Sequence, residues 1–368
     1  MDNFRKFVGR HFDQVVCLGA ARLPDEIAQG FGIEQTFDYY YNDAMPLPGS
    51  EKDTTILRTH ADKVDAAKRD LRSVLECFNI SGADTLCFPS IDFYALLALT
   101  ETLELLREVG SPRILIRLIG VMESASSAHY TKPLNVTLAL LSKICASGLT
   151  VRLAAETPRY AEYLAVQLEQ SIAVTANIEL REQVPLPENN EFTVICPGSA
   201  RYDKGFLNLV KLFSEVRQND PEIRIRFRTQ VLPDRDLKHQ IDYLARLYAI
   251  PGVTLLPSQL PAEDLASMYD EADLVLLPYA ADVYEFRGSA VMIEAMLSGR
   301  HCLALEGPAF VDQMRYFGAG TACSSIAEMA SKIISFSKET RARRQARAKQ
   351  ARERFALDLA TSYQNWVN

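Results

Sequence analysis

Glu285-Phe-Arg-Gly-Ser-Ala-Val-Met-Ile-Glu294-Ala-Met-Leu-Ser-Gly-Arg300 follows the apolar run Leu274-Val-Leu-Leu-Pro-Tyr279. The run reads as a buried strand, and the stretch after it as a glycine turn opening an apolar helix that Ser289 would N-cap. Gly288, Ser289, Ala290 and Val291 would present free amides at that helix start, an arrangement that suits phosphate. Glu294 stands one turn into the helix among apolar neighbours. A carboxylate there needs a partner, because burying it unpaired costs several kcal/mol. Two readings stand: Glu294 accepts ribose hydroxyls of a nucleotide whose diphosphate sits on those amides, or it is paired to an arginine such as Arg287 or Arg300 inside a packed α/β unit.

Upstream, Phe192-Thr-Val-Ile-Cys196 reads as a second buried strand, and Phe206, Leu209, Val210, Phe213 and Val216 have the spacing of one helix face. Between them lies Pro197-Gly-Ser-Ala-Arg201-Tyr-Asp-Lys204-Gly205, a glycine-bounded loop with two cations at the C-terminal end of the strand. Open α/β sheets bind ligands at that end. Arg201 by a forked contact and Lys204 as a point charge would neutralise a diphosphate, whereas the plainer reading leaves both solvated.

Taken in order, three segments resemble the nucleotide-binding half of GT-B glycosyltransferases, most of all the retaining family 4 (glycosyl transferases group 1) type. They are Gly198-x5-Lys204-Gly205, then Val253-Thr-Leu-Leu-Pro-x-x-Leu260-x3-Asp264-Leu-x3-Tyr269-x2-Ala272-Asp273-x4-Pro278, then Arg287-Gly-Ser-Ala-Val-x-x-Glu294-Ala-x-x-Ser298-Gly299. The resemblance spans residues 190 to 330. It implies an α/β fold of two Rossmann-like domains facing a central cleft, with a C-terminal helix crossing back to the first. The implied boundaries are an acceptor-side domain at 1–187, a nucleotide-sugar domain at 188–338 and a helical segment at 339–368.

Residue by residue, the resemblance implies that Lys204 and Arg201 stabilise the leaving nucleoside diphosphate, while Glu294 matches the second glutamate of the family's Glu-x7-Glu motif and holds the ribose. Gly198, Arg287, Gly288, Ser289, Ala290 and Val291 complete the implied nucleotide-binding set. Two positions depart from the pattern. Phe286 stands where the first motif glutamate would fall, and Ser199 where an arginine follows the first glycine. The implied reaction moves a sugar from a donor such as a UDP- or GDP-sugar to a glycan, lipid-linked or other acceptor, with retention at the anomeric carbon and without a metal or other cofactor. The alternative is a catalytically silent protein of the same fold that binds a nucleotide or glycan, or scaffolds another transferase.

Composition narrows the remaining classes. A chain of 368 residues with 48% hydrophobic content is long enough for two domains with separate cores. No run approaches the roughly 18 apolar residues of a membrane span, and the start, Met1-Asp-Asn-Phe-Arg-Lys-Phe, does not lead into a signal-peptide core. Seven cysteines, scattered and odd in number, point to a reducing cytoplasmic setting, and without CxxC or HExxH nothing argues for a metal site. Residues 1–189 hold 18 Lys+Arg against 25 Asp+Glu, while residues 190–368 hold 22 of each. No general nucleic-acid surface is expected from that balance. The local exception, Arg341-Ala-Arg-Arg-Gln-Ala-Arg-Ala-Lys-Gln-Ala-Arg-Glu-Arg354, reads as a solvated helix face, the other reading being peripheral attraction to anionic lipid headgroups.

The first half alternates in the α/β manner. Val15–Leu18, Thr85–Phe88, Ile114–Ile119 and Leu149–Leu153 read as strands, with helices near 61–79, 93–109, 135–147 and 158–169. Pro185-Leu-Pro-Glu-Asn-Asn190 reads as the domain linker, and the first β-α unit as shortened or missing. Arg117 reads as a structural ion-pair partner and His129, in the loop 120–129, as a surface histidine.

Overall fold

The computed structural model describes residues 2–38, 60–120, 134–178, 191–198, 200–233, 236 and 238–368. Two compact units emerge. The first comprises Met1–Glu156, Ala161–Ile178 and Ser362–Asn368, and the second Thr157–Tyr160 with Glu179–Thr361. The proposed linker at 185–190, the loop 121–133 with His129, and Ser199 lie outside the described residues.

In the first unit, strands β1 (Cys17–Ala20) and β2 (Ile33–Phe37) pair in parallel around a seven-residue helix, Asp25–Phe31. A separate parallel sheet runs β3-β4-β5-β6, from Thr85–Phe88, Arg113–Leu118, Val151–Ala155 and Ala173–Val174. β1 begins two residues later than the sequence suggests, and Val15 and Val16 are exposed. The long helix expected at 93–109 is broken at Thr102, whose hydroxyl turns back onto the carbonyls of Ala98 and Leu99. That contact competes with continuing the helix. Arg117 is 5% exposed and donates to the Thr175 carbonyl and to Asn177 Oδ1, with Glu156 at 3.8 Å, which bears out its structural reading.

The second unit holds one all-parallel sheet built from β7 (Phe192–Cys196), β8 (Ile225–Gln230), β9 (Val253–Leu256), β10 (Leu274–Leu277), β11 (His301–Leu305) and β12 (Gly320–Cys323). Their order is β12-β11-β10-β7-β8-β9. Central strands of such a sheet are covered on both faces and so are apolar throughout; all four residues of β10 are buried. From β7 the chain winds outward through β8 and β9, returns to the other side of β7 as β10, and winds outward again. β10 and β7 pair at Leu274 with Val194 and Val275 with Ile195, so the topological switch point lies between them. Phe206, Leu209, Val210, Phe213 and Val216 all turn inward, on a 3-10 turn at Phe206–Asn208 and the helix Leu209–Asn219 that follows it. Phe213 stacks on Phe227 of β8 at 4.1 Å.

The basic stretch 341–354 lies in the helix Arg341–Val367; it has the expected solvated face, at Arg343, Ala346, Lys349, Gln350 and Glu353, and a second face whose arginines find intramolecular partners. Arg344 pairs with Asp273 at 2.6 Å, Arg347 pairs with Glu339 at 2.5 Å and lies over the Phe336 ring, Arg352 donates to the Leu297 carbonyl, and Arg354 lies 4.1 Å over the Tyr316 ring. Arginine stems cover apolar surface while their heads find acceptors; alternating alanine and arginine here marks a docked helix. At its far end the same helix completes the first unit. The Tyr363 hydroxyl donates to the Ala176 carbonyl, Trp366 Nε1 to that of Arg152, and the rings of Phe4 and Phe7 meet Tyr363 edge-on.

Beneath the docked helix, His301 is packed on Phe336 with Thr321 Oγ1 at 2.9 Å. Burial, then the nearby Arg347, lower its pKa to about 3. The unfolded chain therefore takes up a proton below about 6.5 that the folded chain refuses until about 3, so stability falls as pH falls through that window, by about 1.4 kcal/mol per pH unit. Urea unfolding at pH 7.0 and 5.0 is expected to show a loss that His301→Gln reduces by about 2 kcal/mol; equal losses in both proteins would refute it.

Candidate functional site

The loops that follow β7 and β10 flank the switch point, where open parallel sheets place their ligands. Gly198 and Gly205 bound the first loop with left-handed backbones, at φ +86° and +75°. A side chain on Gly198 would approach Lys204 Nζ at 2.8 Å and Val291 Cγ2 at 3.3 Å. Three residues from two distant sequence segments thus share one small cradle. At Gly205 a Cβ would lie 1.9 Å from the Pro278 carbonyl oxygen, and the Ala280 amide donates to the Asp203 carbonyl at 2.8 Å. These two contacts hold the β7 loop against the end of β10.

Ser289 has extended geometry, and its hydroxyl accepts from the Met292 amide at 3.2 Å, so it caps the helix Ala290–Leu297 as its sequence suggests. The helix start, with Gly288, Ala290 and Val291, therefore opens beside Gly198 and Lys204. Arg287 lies 5.7 Å over the Tyr284 ring.

The two loop cations differ in their surroundings. Arg201 donates to the Tyr284 hydroxyl at 2.9 Å and pairs with Asp203 at 2.8 Å, so its charge already has an acid beside it. Lys204 sits 5.9 Å over the Tyr279 ring. Burial, then the charge of Arg201, push its ammonium below the usual lysine range, while Cys196, Asp203 and Glu294 act in the opposite direction. A desolvated cation answering to a nearby carboxylate and standing beside a helix start is suited to receiving a multiply charged anion.

Glu294 is partly exposed, and its Oε2 accepts a hydrogen bond from Tyr269 Oη at 2.7 Å. Arg300, offered by the sequence as an ion-pair partner, instead sends Nε to the Tyr269 carbonyl and Nη2 to that of Asp270. Sequence reasoning missed Tyr269, Tyr284 and Asp203. The first was already in view as the tyrosine five residues after Asp264, but nothing in spacing alone aims a helix-end phenol at a residue 25 positions away. Asp273, in the same motif, exchanges backbone and side-chain hydrogen bonds with Thr193 and holds Arg344, so its work is to anchor strand starts and the docked helix.

Phe286, in place of the family's first motif glutamate, is 5% exposed and stacks on Tyr160 at 5.1 Å. Its carbonyl accepts from the Thr157 hydroxyl at 2.8 Å. An aromatic ring is retained there by packing. A carboxylate at that point would face a ring and lose its hydration.

Residues 177–354 match the model of the family described as glycosyl transferases group 1. No curated relative matches by sequence. Among solved structures, the chain is similar to a trehalose-6-phosphate protein from E. coli bound with UDP-2-fluoro glucose, at 13% identity and TM-score 0.63, covering 90% of this chain and 84% of that one. It is also similar to an alpha,alpha-trehalose 6-phosphate synthase from Burkholderia multivorans (11%, TM-score 0.60, covering 83% and 73%) and to a sucrose-phosphate synthase from Thermosynechococcus elongatus (16%, TM-score 0.57, covering 87% and 76%).

Proposed function

Because residues 177–354 form a glycosyl transferases group 1 domain within a GT-B fold, and the chain is accordingly a glycosyltransferase, we propose that it transfers the sugar of a nucleoside-diphosphate sugar with retention at the anomeric carbon. The observation that carries this reading is the meeting of Gly198, Lys204 and Val291 at the switch point of the sheet. Bound there, a diphosphate would lie on the amides of Gly288 to Val291 with Lys204 beside it, and Arg201 and Arg287 at the rim. As the bond to the sugar breaks, negative charge gathers on the departing diphosphate. Fixed cations and amides in a site poor in water stabilise that charge more than mobile solvent does. Glu294 holds the ribose. The ligand of the E. coli neighbour, UDP-2-fluoro glucose, supports a nucleotide sugar as donor.

The acceptor we propose is a glycan or a lipid-linked sugar. Among the described residues no helix is long and apolar enough to cross a membrane. All seven cysteines are free, which suits a reducing compartment.

With Lys204, Arg201 and a helix terminus sharing the diphosphate charge, binding without a divalent metal is expected. Calorimetric titration of UDP, GDP and ADP in EDTA should detect at least one ligand. Binding of none, or only after magnesium or manganese is added, overturns this reading. Proton NMR of the transfer product should show the donor's anomeric configuration unchanged; an inverted product would refute retention.

A further inference from the structure

We propose that Tyr269 is a positioning residue for the donor, presenting Glu294 to the ribose by holding one of its two carboxylate oxygens. This rests on the reading of Glu294 as the ribose-holding group. The tyrosine is 1% exposed, and its hydroxyl donates to Glu294 Oε2 at 2.7 Å. A carboxylate has acceptor capacity on both oxygens. With Oε2 occupied from the protein side, Oε1 is the oxygen offered to a ligand diol. Burial, then the Glu294 carboxylate itself, push the phenol well above its ordinary pKa, so it stays a donor.

The phenol is itself fixed. It closes the helix Ala262–Asp270, where Arg300, 2% exposed, donates to the Tyr269 carbonyl at 2.8 Å and to the Asp270 carbonyl at 3.0 Å. A buried cation adds hydrogen bonds to the last carbonyls of a helix and complements its dipole. Arg300 follows the helix Ala290–Leu297 by three residues, so one guanidinium ties the end of the Glu294 helix to the end of the Tyr269 helix. Ser298 adds a bond from its hydroxyl to the Glu294 carbonyl at 2.8 Å. Backbone and side chain of Glu294 are therefore both held before any ligand arrives. Such support determines how accurately a site residue is placed.

A buried tyrosine hydroxyl usually finds an acceptor, so the test must separate positioning from simple satisfaction. Tyr269→Phe, Glu294→Gln and the double variant would be titrated with whichever of UDP, GDP and ADP the wild type binds most tightly, and with its 2′,3′-dideoxy form. Tyr269→Phe should weaken the ribose nucleotide about tenfold, equivalent to about 1.4 kcal/mol. The loss should shrink below about twofold in the Glu294→Gln background and on the dideoxy ligand, since removed partners cannot be mispositioned. In steady state the donor KM should rise with kcat held within about twofold, the pattern for binding lost equally from ground and transition states. An equal loss in both backgrounds, or a fall in kcat at constant KM, would overturn the proposal and leave a structural tyrosine. If Glu294→Gln weakens binding while Tyr269→Phe does not, positioning fails and the ribose reading stands. If Glu294→Gln leaves affinity unchanged, the ribose reading itself falls, and the proposal with it.

Discussion

Replacing Lys204 by alanine is expected to lower turnover, or donor hydrolysis where no acceptor is supplied, by about 10²-fold or more, the range for loss of one preorganised group at a developing charge. Stability should hardly change. The ammonium contributes a contact to the Tyr279 ring worth about 0.5–1 kcal/mol, and removing it also removes the cost of its desolvation, so the two offset. Arg201→Ala should cost less in rate, since Asp203 already balances that charge. Turnover and melting measured on the same preparations decide the matter: wild-type rates in Lys204→Ala would remove the lysine from the mechanism. A wild-type protein that binds donor yet neither transfers nor hydrolyses it would favour the silent alternative.

Gly205→Ala is expected to be more damaging, and in a different way. Its φ of +75° is a conformation that costs an L-residue about 1–2 kcal/mol, and its new Cβ would meet the Pro278 oxygen at 1.9 Å. That atom is backbone at the end of a buried strand and has little freedom to withdraw. The loops after β7 and β10 must separate, and Lys204 moves with them. A stability loss of about 3 kcal/mol or more is expected, together with loss of nucleotide binding. Denaturant unfolding and calorimetry would show both; a variant with native stability and native affinity would mean that the loops are not held together at this point.

In the second unit β7 and β10 are legible in the sequence because they are buried and apolar along most of their length, while Ser289, Gly198 and Gly205 punctuate the turns; β8, with Arg226 and Arg228 between its buried residues, carries no such signal. The two loops singled out by their glycines and cations are the two that flank the switch point. The first unit was less legible. β1 lies two residues past the run that suggested it, and the break at Thr102 depends on a hydroxyl turning back on its own helix. The 341–354 segment keeps a solvated face, at Arg343, Ala346, Lys349, Gln350 and Glu353, but the partners of Arg344, Arg347, Arg352 and Arg354 are Asp273, Glu339, Leu297 and Tyr316, all remote in sequence or unremarkable in it. The sequence shows that Glu294 needs a partner, but that partner is a phenol whose direction follows from helix packing.

The closing residues of the helix Arg341–Val367 bear on the order in which the protein takes shape as it is synthesised. Tyr363, Trp366 and Val367 are all 1% exposed or less, and they lie in the unit that otherwise consists of residues before 179. Domains generally fold as they emerge, the N-terminal one first. Here the earlier half reaches the exit of the ribosome without the aromatic pair that Phe4 and Phe7 pack against, and its core stays open until the last turn of helix arrives. The second unit, whose strands all lie between 192 and 323, takes in the same helix as far as Thr361, so both halves of the chain are completed by one element that is made last.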